Sequence, residues 1–356
     1  MRRLKILVSP LDWGLGHATR CIPIIKTLSE NGCEVLIGAD GRALELLKHE
    51  FPSQQFLRMP GYNIRYPAKG SMAIKMAASF PRILKGIRSE HEQLHSIIKE
   101  HSIDAVISDN RFGLWNKKIP SVFITHQLMI KSPLGENALH HFNKRYINRF
   151  SSCWIPDNNG ENNLSGDLSH KYPLPAHAEF IGLLSRFNPA TYVKEDLNIL
   201  VLLSGPEPQR TLLEKKLLQE LIRSGDTALV VRGVTEKQER KKLTSRVSIV
   251  NYMTADELEK ELYAASIVIA RPGYSTVMDL ATLKKKKVIF IPTPGQTEQE
   301  YLAERLSNLK IAYYSPQENL NLESALGFVK EYNGFSEEYD NVKYAEVVKK
   351  WIEEIR

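Results

Sequence analysis

Short apolar runs alternate with longer amphipathic stretches along the whole chain. Strand-like apolar runs form a first series over residues 4–9, 34–38, 104–108, 121–125, 153–156 and 179–182, and a second over residues 198–203, 228–231, 247–250, 266–270, 287–291 and 311–313. Apolar residues recur at helical spacing over residues 18–31, 74–100, 210–224, 255–264, 276–283 and 298–308. Short apolar runs suit parallel strands buried on both faces, so their alternation with helices predicts doubly wound α/β sheets.

Two such series predict two Rossmann-like domains. Proline and polar residues interrupt the pattern over residues 183–194 (LLSRFNPATYVK), as at a domain join. We therefore expect an N-terminal domain over residues 1–186 and a C-terminal domain over residues 187–338. Residues 339–356 contain a last helix with an apolar stripe, which we expect to pack back on the N-terminal domain.

A glycine turn in the second half carries the strongest chemical signal. Residues 270–300 read ARPGYSTVMDLATLKKKKVIFIPTPGQTEQE. Gly273 permits a turn after a strand, and Ser275 or Thr276 can cap a helix whose free N–H groups suit a phosphate. Asp279 lies one turn into that helix, where a carboxylate can reach ribose hydroxyls. Polar residues then open the next helix, so the segment predicts a site for a nucleotide that carries a sugar.

The first strand also runs into a glycine loop, SPLDWGLGHATR. Thr19 replaces the third glycine of the dinucleotide fingerprint, which argues against an NAD-type site. Asp40, however, lies where such sites place the acid that binds the ribose, so an NAD-type site remains an alternative. Histidines titrate near neutral pH, and His17 can accept a proton from an acceptor hydroxyl or bind phosphate. Asp109, after the strand DAVIS, is its partner, an alternative base or a turn cap. His126, after SVFIT, is a further acceptor-side candidate.

Composition excludes several classes of protein. The chain has 356 residues, of which 42% are hydrophobic and 25% charged, as in a soluble protein of two domains. No apolar run approaches the roughly 20 residues that span a bilayer, and the apolar core of the N-terminus is too short for a signal peptide. Cys21, Cys33 and Cys153 lack metal-site spacing and are odd in number. We therefore expect no metal site and a reduced, cytoplasmic setting.

The net charge of +7 is concentrated locally. Residues 63–88 (NIRYPAKGSMAIKMAASFPRILKGIR) carry six basic residues among apolar ones: Arg65, Lys69, Lys75, Arg82, Lys85 and Arg88. This mixture is typical of a patch that binds an anionic membrane surface, and equally of an amphipathic helix with a solvated basic face. Residues 140–149 (HHFNKRYINR) form a second basic stretch, but neither carries a nucleic-acid-binding motif. We expect no nucleic-acid partner.

Together, the two predicted domains, the Gly-His loop and the segment RPGYSTVMDLA…PTPGQTEQEY resemble the GT-B glycosyltransferases. The likeness is closest to family 28 and its MurG-like branch, the N-acetylglucosamine transferases. It covers nearly the whole chain in layout, and in residues it is concentrated in the C-terminal segment. It implies an α/β, GT-B fold of two Rossmann-like domains facing a central cleft, with the donor bound mainly by the C-terminal half.

The resemblance also implies roles for individual residues. Asp279, where the family more often has Glu, would bind the ribose, and Gln299 and Glu300 would contact the donor sugar, although Glu300 replaces a common Gln. Met253 would border the base through its backbone. The residues expected near the diphosphate are Arg186, Ser204, Gly205, Gly273, Ser275 and Thr276. Pro206-Glu207-Pro208 replaces a glycine-richer loop. Gly14, Gly16 and His17 match the loop on the acceptor side.

Sugar transfer needs a neutralised leaving diphosphate and a deprotonated acceptor hydroxyl. The chain contains no Asp-x-Asp motif. We therefore expect a metal-independent, inverting reaction without a cofactor, in which a UDP-sugar, most often UDP-GlcNAc in this branch, donates to a glycan or lipid-linked acceptor of the cell envelope. The alternatives are a nucleotide-sugar epimerase of the same layout, an NAD-dependent enzyme and a binding module without catalysis.

Overall fold

The computed structural model describes residues 2–62, 72–132, 135–188, 197–235 and 237–356. Contacts divide this part of the chain into two compact units. Unit 1 comprises residues 2–62, Ala73–Ser185 and Tyr339–Arg356, and unit 2 comprises Arg186–Glu338. Arg186, which the sequence analysis places at the end of the N-terminal domain, thus lies in unit 2.

Unit 1 is built on a parallel sheet of seven strands in the order β3-β2-β1-β4-β5-β6-β7. The strands are β1 (Lys5–Pro10), β2 (Glu34–Ala39), β3 (Gln55–Arg58), β4 (Ala105–Asp109), β5 (Ser121–Ile124), β6 (Ser152–Ile155) and β7 (Ala178–Phe180). The helices are α1 (Leu15–Glu30), α2 (Gly41–Glu50), α3 (Met72–His101), α4 (Glu136–Ile147), α5 (Asp167–His170) and the C-terminal α11 (Lys343–Ile355). The central strands β1, β4 and β5 are almost wholly buried, as their continuous apolar runs predict.

The C-terminal helix belongs to unit 1. In α11, Val348, Trp351 and Ile352 are buried, and the ring of Trp351 meets that of Trp154 edge-on, with centroids 5.6 Å apart. Its apolar stripe therefore packs beside the sheet of the first unit.

Unit 2 repeats the topology with the order β10-β11-β9-β8-β12-β13-β14. Its strands are β8 (Leu197–Leu202), β9 (Ala228–Val231), β10 (Arg240–Lys242), β11 (Val247–Val250), β12 (Ala265–Ala270), β13 (Val288–Phe290) and β14 (Tyr313–Tyr314). Its helices are α6 (Gln209–Ser224), α7 (Ala255–Ala264), α8 (Tyr274–Thr282), α9 (Thr297–Asn308) and α10 (Leu322–Phe328), followed by a 3-10 turn at Val329–Glu331. β10 pairs antiparallel with β11 at one edge, and the other neighbours are parallel. The prediction of two doubly wound α/β sheets is confirmed.

Two features bear on the predicted membrane patch. In the described part of the chain, no helix is both long enough and apolar enough to cross a membrane. Arg65 and Lys69 lie outside the described residues, as does the side chain of Lys75. Arg82, Lys85 and Arg88 are exposed on α3.

Candidate active site

The strand order of each sheet reverses beside its first strand, between β1 and β4 in unit 1 and between β8 and β12 in unit 2. The paired strands end together at these points, since Pro10 is in register with Asp109, and Leu202 with Ala270. In open α/β sheets, ligands bind beyond the carboxyl ends of the strands where the order reverses. The predicted glycine turns at Gly14, Gly205 and Gly273 follow β1, β8 and β12.

In unit 1, this position is occupied by a buried charged cluster. α1 begins after Gly14, whose φ of +112° suits glycine, and it carries His17 and Arg20 on neighbouring turns. Nδ1 of His17 lies 2.9 Å from Oδ1 of Asp109, the last residue of β4. Arg20 donates to both carboxylate oxygens of Asp109 through Nε and NH2. Asp109 is fully buried and Arg20 is 2% exposed, whereas the His17 side chain is 16% exposed.

The environment keeps Asp109 ionised. Burial alone acts to raise the pKa of this carboxyl, but the charges of Arg20 and His17 and their hydrogen bonds outweigh it and lower the pKa from 3.8 to about 2. A carboxylate of such low basicity is a weak base, so the geometry favours Asp109 as the partner of His17. Nδ1 of His17 faces Asp109, which only accepts hydrogen bonds, and the guanidinium of Arg20, which only donates them. In the tautomer that donates from Nδ1 to Asp109, Nε2 is the atom that can take a proton.

Arg20 is a residue that the sequence analysis missed. Besides Asp109, its guanidinium contacts Nδ1 of His17 at 2.8 Å and donates to Nδ1 of His126 at 2.9 Å. His126 is 3% exposed. The arginine therefore joins three of the predicted residues in one cluster, and its only signal in the sequence was its position three residues after His17.

In unit 2, the helices at the carboxyl edge of the sheet differ in how their N-termini are satisfied. Glu207 accepts from the backbone N–H of Thr211 in α6 at 3.3 Å, and Thr254 forms a capping box with Glu257 in α7. α9 carries Glu298 and Glu300 in its first turn. α8 begins at Gly273 with no side-chain cap and no acidic residue in its first turn. The positive end of α8 is therefore the best placed of the four for an anion.

Predicted donor residues gather around this turn. Ser275 is buried and Thr276 half-buried in the first turn of α8, and Asp279 follows one turn later, 6% exposed. Nε of Arg186 lies 3.4 Å from Oδ2 of Asp279. Among the described residues, this Nε has no hydrogen-bond partner. The structure thus brings Arg186 and Asp279 together as an ion pair beside the uncapped helix end.

The loop after β8 lies close to the segment after β13. Gly205 has a φ of +97°, and a Cβ on it would lie 3.5 Å from Oγ1 of Thr293. Ser204, just before it, is half-buried. Glu207, in the proline-containing part of this loop, is held by Arg210 at 2.6 Å. Glu207 therefore stabilises the start of α6.

Gln299 and Glu300 bind the loop before their own helix. Oε1 of Gln299 accepts from the N–H of Thr293, and Oε1 of Glu300 from that of Gly295, both at 2.8 Å. Gln299 is buried and Glu300 is exposed. Both side chains thus shape the turn at residues 292–296, and their contact with a sugar stays a prediction.

The structure also gives the positions and contacts of the other residues that the sequence suggested. Met253 is 7% exposed and directly precedes the cap of α7, after β11. Gly16 accepts from Oγ1 of Thr19 at 3.0 Å in the first turn of α1. Asp40, the acid of the NAD-type alternative, is paired with Arg58 at 2.9 Å. Within the described ranges, no group of three or more His, Cys, Asp or Glu residues is placed to hold a metal ion.

Arg271 is a second arginine that the sequence analysis did not single out. It is fully buried and donates to the carbonyl oxygens of Ile291 and Pro292, each at 2.8 Å, and to Oε1 of Gln317 at 2.6 Å. Burial lowers its pKa to about 9, which leaves the side chain charged at neutral pH. It ties the turn after β12 to the segment after β13 and so fixes the start of α8.

Part of the chain matches the model of a known protein family. Residues 207–350 match the model of the glycosyltransferase family 28 C-terminal domain. A glycosyltransferase of Methanosarcina mazei is 22% identical over 337 residues, which cover 83% of this chain and 82% of that protein.

Two solved structures share the fold. MurG of Acinetobacter baumannii superposes with a TM-score of 0.54 at 15% identity over 99% of both chains. The glycosyltransferase VinC, solved in complex with dTDP, gives 0.56 at 11% identity over 99% of this chain and 95% of that one. The chain therefore has the fold of the GT-B glycosyltransferases. It is a glycosyltransferase, and its residues 207–350 match the family 28 C-terminal domain.

Proposed function

We propose that this glycosyltransferase moves a hexose or N-acetylhexosamine, first of all N-acetylglucosamine, from a UDP-sugar to an acceptor hydroxyl. The observation that supports this most is the uncapped start of α8 beside the Arg186–Asp279 pair. A nucleoside diphosphate sugar carries a diphosphate and a ribose diol four to five bonds apart in one molecule. The N-terminal end of α8 suits the diphosphate, and the carboxylate of Asp279 one turn later suits the ribose diol. The dTDP complex of VinC agrees with a nucleoside diphosphate as the bound group.

The leaving diphosphate would be stabilised by chain groups. The backbone N–H groups of α8 carry a partial positive charge, and Arg186 adds a full one. Ser275 and Thr276 supply hydroxyl donors in the same turn. We propose that these groups neutralise the diphosphate without a metal ion.

His17 is the proposed general base. Its Nε2 takes the proton of the acceptor hydroxyl while Asp109 holds Nδ1–H and stabilises the imidazolium that forms. The acceptor oxygen then bonds to the sugar carbon as the bond from that carbon to the diphosphate breaks. A single displacement of this kind inverts the configuration at the sugar carbon.

The experiment that tests this function is incubation with UDP-GlcNAc and UDP-glucose in excess EDTA. A panel of methyl glycosides and a total lipid extract would serve as acceptors. We expect UDP release that depends on the acceptor and a product of opposite anomeric configuration by NMR. Retention of configuration, loss of turnover in EDTA, or conversion of the donor without any acceptor would each contradict the proposal.

We further propose that the enzyme is cytoplasmic and acts on a glycan or lipid-linked acceptor at the inner face of the cell membrane. Arg82, Lys85 and Arg88 are exposed along α3. Among the described residues, Arg88 forms an ion pair with Glu92 at 3.3 Å, and the side chains of both residues are highly exposed. Such a basic face is attracted to anionic lipid, by about 1 kcal/mol per residue near the surface.

Changing Arg82, Lys85 and Arg88 together to glutamine is therefore expected to weaken partition onto phosphatidylglycerol vesicles about 100-fold. Sedimentation with vesicles at low salt would measure it. The control changes Lys26, Lys349 and Lys350 to glutamine, which removes the same charge from exposed positions on α1 and α11. Equal loss in both variants would show that only net charge matters, and would refute a specific surface.

A further inference from the structure

The loop between β1 and α1 contains two buried polar atoms without a hydrogen-bond partner among the described residues. They are Oδ1 of Asp12 and Nε1 of Trp13. One can only accept a hydrogen bond and the other can only donate one. Each such group that stays unpaired lowers the stability of the folded protein by about 1–3 kcal/mol. Two adjacent residues that bear this cost, four and five positions before His17, point to a ligand.

Both side chains lie against the same short segment after β3. A Cβ on Gly61 would fall within 1.8–2.2 Å of the carboxylate atoms of Asp12, so only glycine leaves room for that carboxylate. The ring of Trp13 meets that of Tyr62 edge-on, with centroids 6.2 Å apart. Because Gly61 and Tyr62 are consecutive, the two side chains occupy neighbouring positions.

This support is rigid. The hydroxyl of Tyr62 donates to Glu90 at 2.7 Å, and Glu90 accepts from Nε of Arg111 at 2.7 Å. All three residues are buried. The guanidinium of Arg111 also donates to the carbonyl oxygens of Met59 and Pro60, which lead into the same segment. The side chains that face the loop are therefore held in place before any ligand binds.

Oδ1 of Asp12 has no hydrogen-bond donor among the described residues. Burial raises the pKa of this carboxyl, and the charge of Arg111 and a hydrogen bond from the backbone of Asp12 itself only partly oppose the effect. The hydrogen bonds of the Arg111 guanidinium go to Glu90 and to carbonyl oxygens. A hydroxyl that donated to Oδ1 would supply what is missing.

We propose that Asp12 and Trp13 bind a second hydroxyl group of the acceptor, which donates to Oδ1 of Asp12 and accepts from Nε1–H of Trp13. This inference rests on the proposed function, because it takes the loop before His17 as the acceptor side. Trp13 also belongs to an apolar cluster with Leu11, Tyr62, Ile83 and Ile87, which suits the carbon face of a sugar ring. The acceptor is then a carbohydrate or another polyol, and an alcohol with a single hydroxyl is a poor substrate.

The test uses protein labelled with ¹⁵N at tryptophan, saturated with UDP. The chain has four tryptophans, so four indole N–H signals are expected, and the Trp13→Phe variant assigns one of them. The probes are methyl glycosides of glucose, galactose, mannose and N-acetylglucosamine, with cyclohexanol as the alcohol of similar size. Nε1 of Trp115 is also buried and unpaired among the described residues, and the Trp115 ring stacks on that of His91. The Trp115 signal serves as the internal control.

We expect at least one glycoside to move the Trp13 signal downfield while the Trp115 signal stays in place, and cyclohexanol to move neither. Asp12→Asn, which keeps the shape of the side chain, is expected to weaken that glycoside about 10-fold or more. Trp13→Phe keeps an aromatic ring without the N–H donor and should weaken binding of the same glycoside similarly, as measured by calorimetry because this variant lacks the Trp13 signal. Two variants are used so that a folding defect in one leaves the other to test the inference. No shift with any glycoside, or an equal shift with cyclohexanol, would overturn it.

The outcome is separable from that of the proposed function. UDP-GlcNAc binding by calorimetry reports on the donor site alone. If the donor binds and no glycoside moves the Trp13 signal, the function stands and this inference fails. If a glycoside moves it and no nucleotide-sugar binds, the proposed donor fails and the polyol site stands.

Discussion

Replacing His17 by glutamine is expected to slow sugar transfer about 10²–10⁴-fold, the usual contribution of a general base. Glutamine has a similar size and can still donate to Asp109, but it cannot take a proton at neutral pH. The predicted donor residues all belong to unit 2, so the affinity for UDP should stay within twofold of the wild-type value. UDP release at saturating UDP-sugar measures the rate, and calorimetry measures the affinity.

His95→Gln is the matched control for this variant. His95 is exposed on α3 in the same unit and hydrogen-bonds within its own helix. The turnover of the His95→Gln enzyme should equal that of the wild-type enzyme. A His17→Gln enzyme that keeps more than a tenth of wild-type turnover would show that another group takes the proton.

Replacing Asp109 by asparagine is expected to destabilise the protein by about 3–5 kcal/mol, the typical cost of leaving a buried charge unpaired. The change removes the carboxylate that pairs with the guanidinium of Arg20, which is 2% exposed. The two neighbouring histidines, His17 and His126, cannot neutralise a positive charge. Urea denaturation at neutral pH would give the difference in the free energy of unfolding.

Glu92→Gln is the control, because it breaks an ion pair whose partners are 84% and 69% exposed. Such surface pairs contribute about 1 kcal/mol or less. The Arg20→Met/Asp109→Leu double variant, which removes both charges, should recover part of the loss. Similar losses from Asp109→Asn and Glu92→Gln would contradict the buried ion pair.

The same carboxylate makes a prediction about pH. The pKa of Asp109 is lowered from 3.8 to about 2 in the folded protein, so below about pH 4 the unfolded chain binds the proton more readily. The stabilisation by ionised Asp109 is therefore present above pH 4 and lost as the pH falls toward 2. The Asp109→Asn protein should lack this part of the acid dependence, and the Glu92→Gln protein should keep it.

The sequence predicts the fold well where a buried strand or helix has a clear pattern of apolar residues. β9, β11 and α7 have the predicted bounds, because polar residues flank both strands and Thr254 caps the start of the helix. β10 was missed, since its three residues are all charged and exposed at the sheet edge. α4 was taken as a basic, aromatic stretch, because only Asn143 and Ile147 of that helix are buried.

The candidate site was predicted less completely, for a physical reason. Glycine turns and helix starts depend on neighbours in the sequence, so Gly14, Gly273 and Asp279 could be found from local pattern. The importance of Arg20 and Arg271 depends on partners about 90 and 20 residues away, as the Asp109 and Ile291 contacts show. Buried arginines give no local signal that separates them from solvated ones.

The proposed donor site can be tested by calorimetric titration. UDP, UDP-GlcNAc, UDP-glucose, dTDP, GDP and NADH would be titrated without added metal into the wild-type protein, Asp279→Ala and the control Asp256→Ala. Asp256 is an exposed acid on the neighbouring helix α7. We predict that UDP and a UDP-sugar bind to the wild type and the control, and that Asp279→Ala loses this binding. Binding of NADH alone, of nothing, or equally to all three proteins would contradict it.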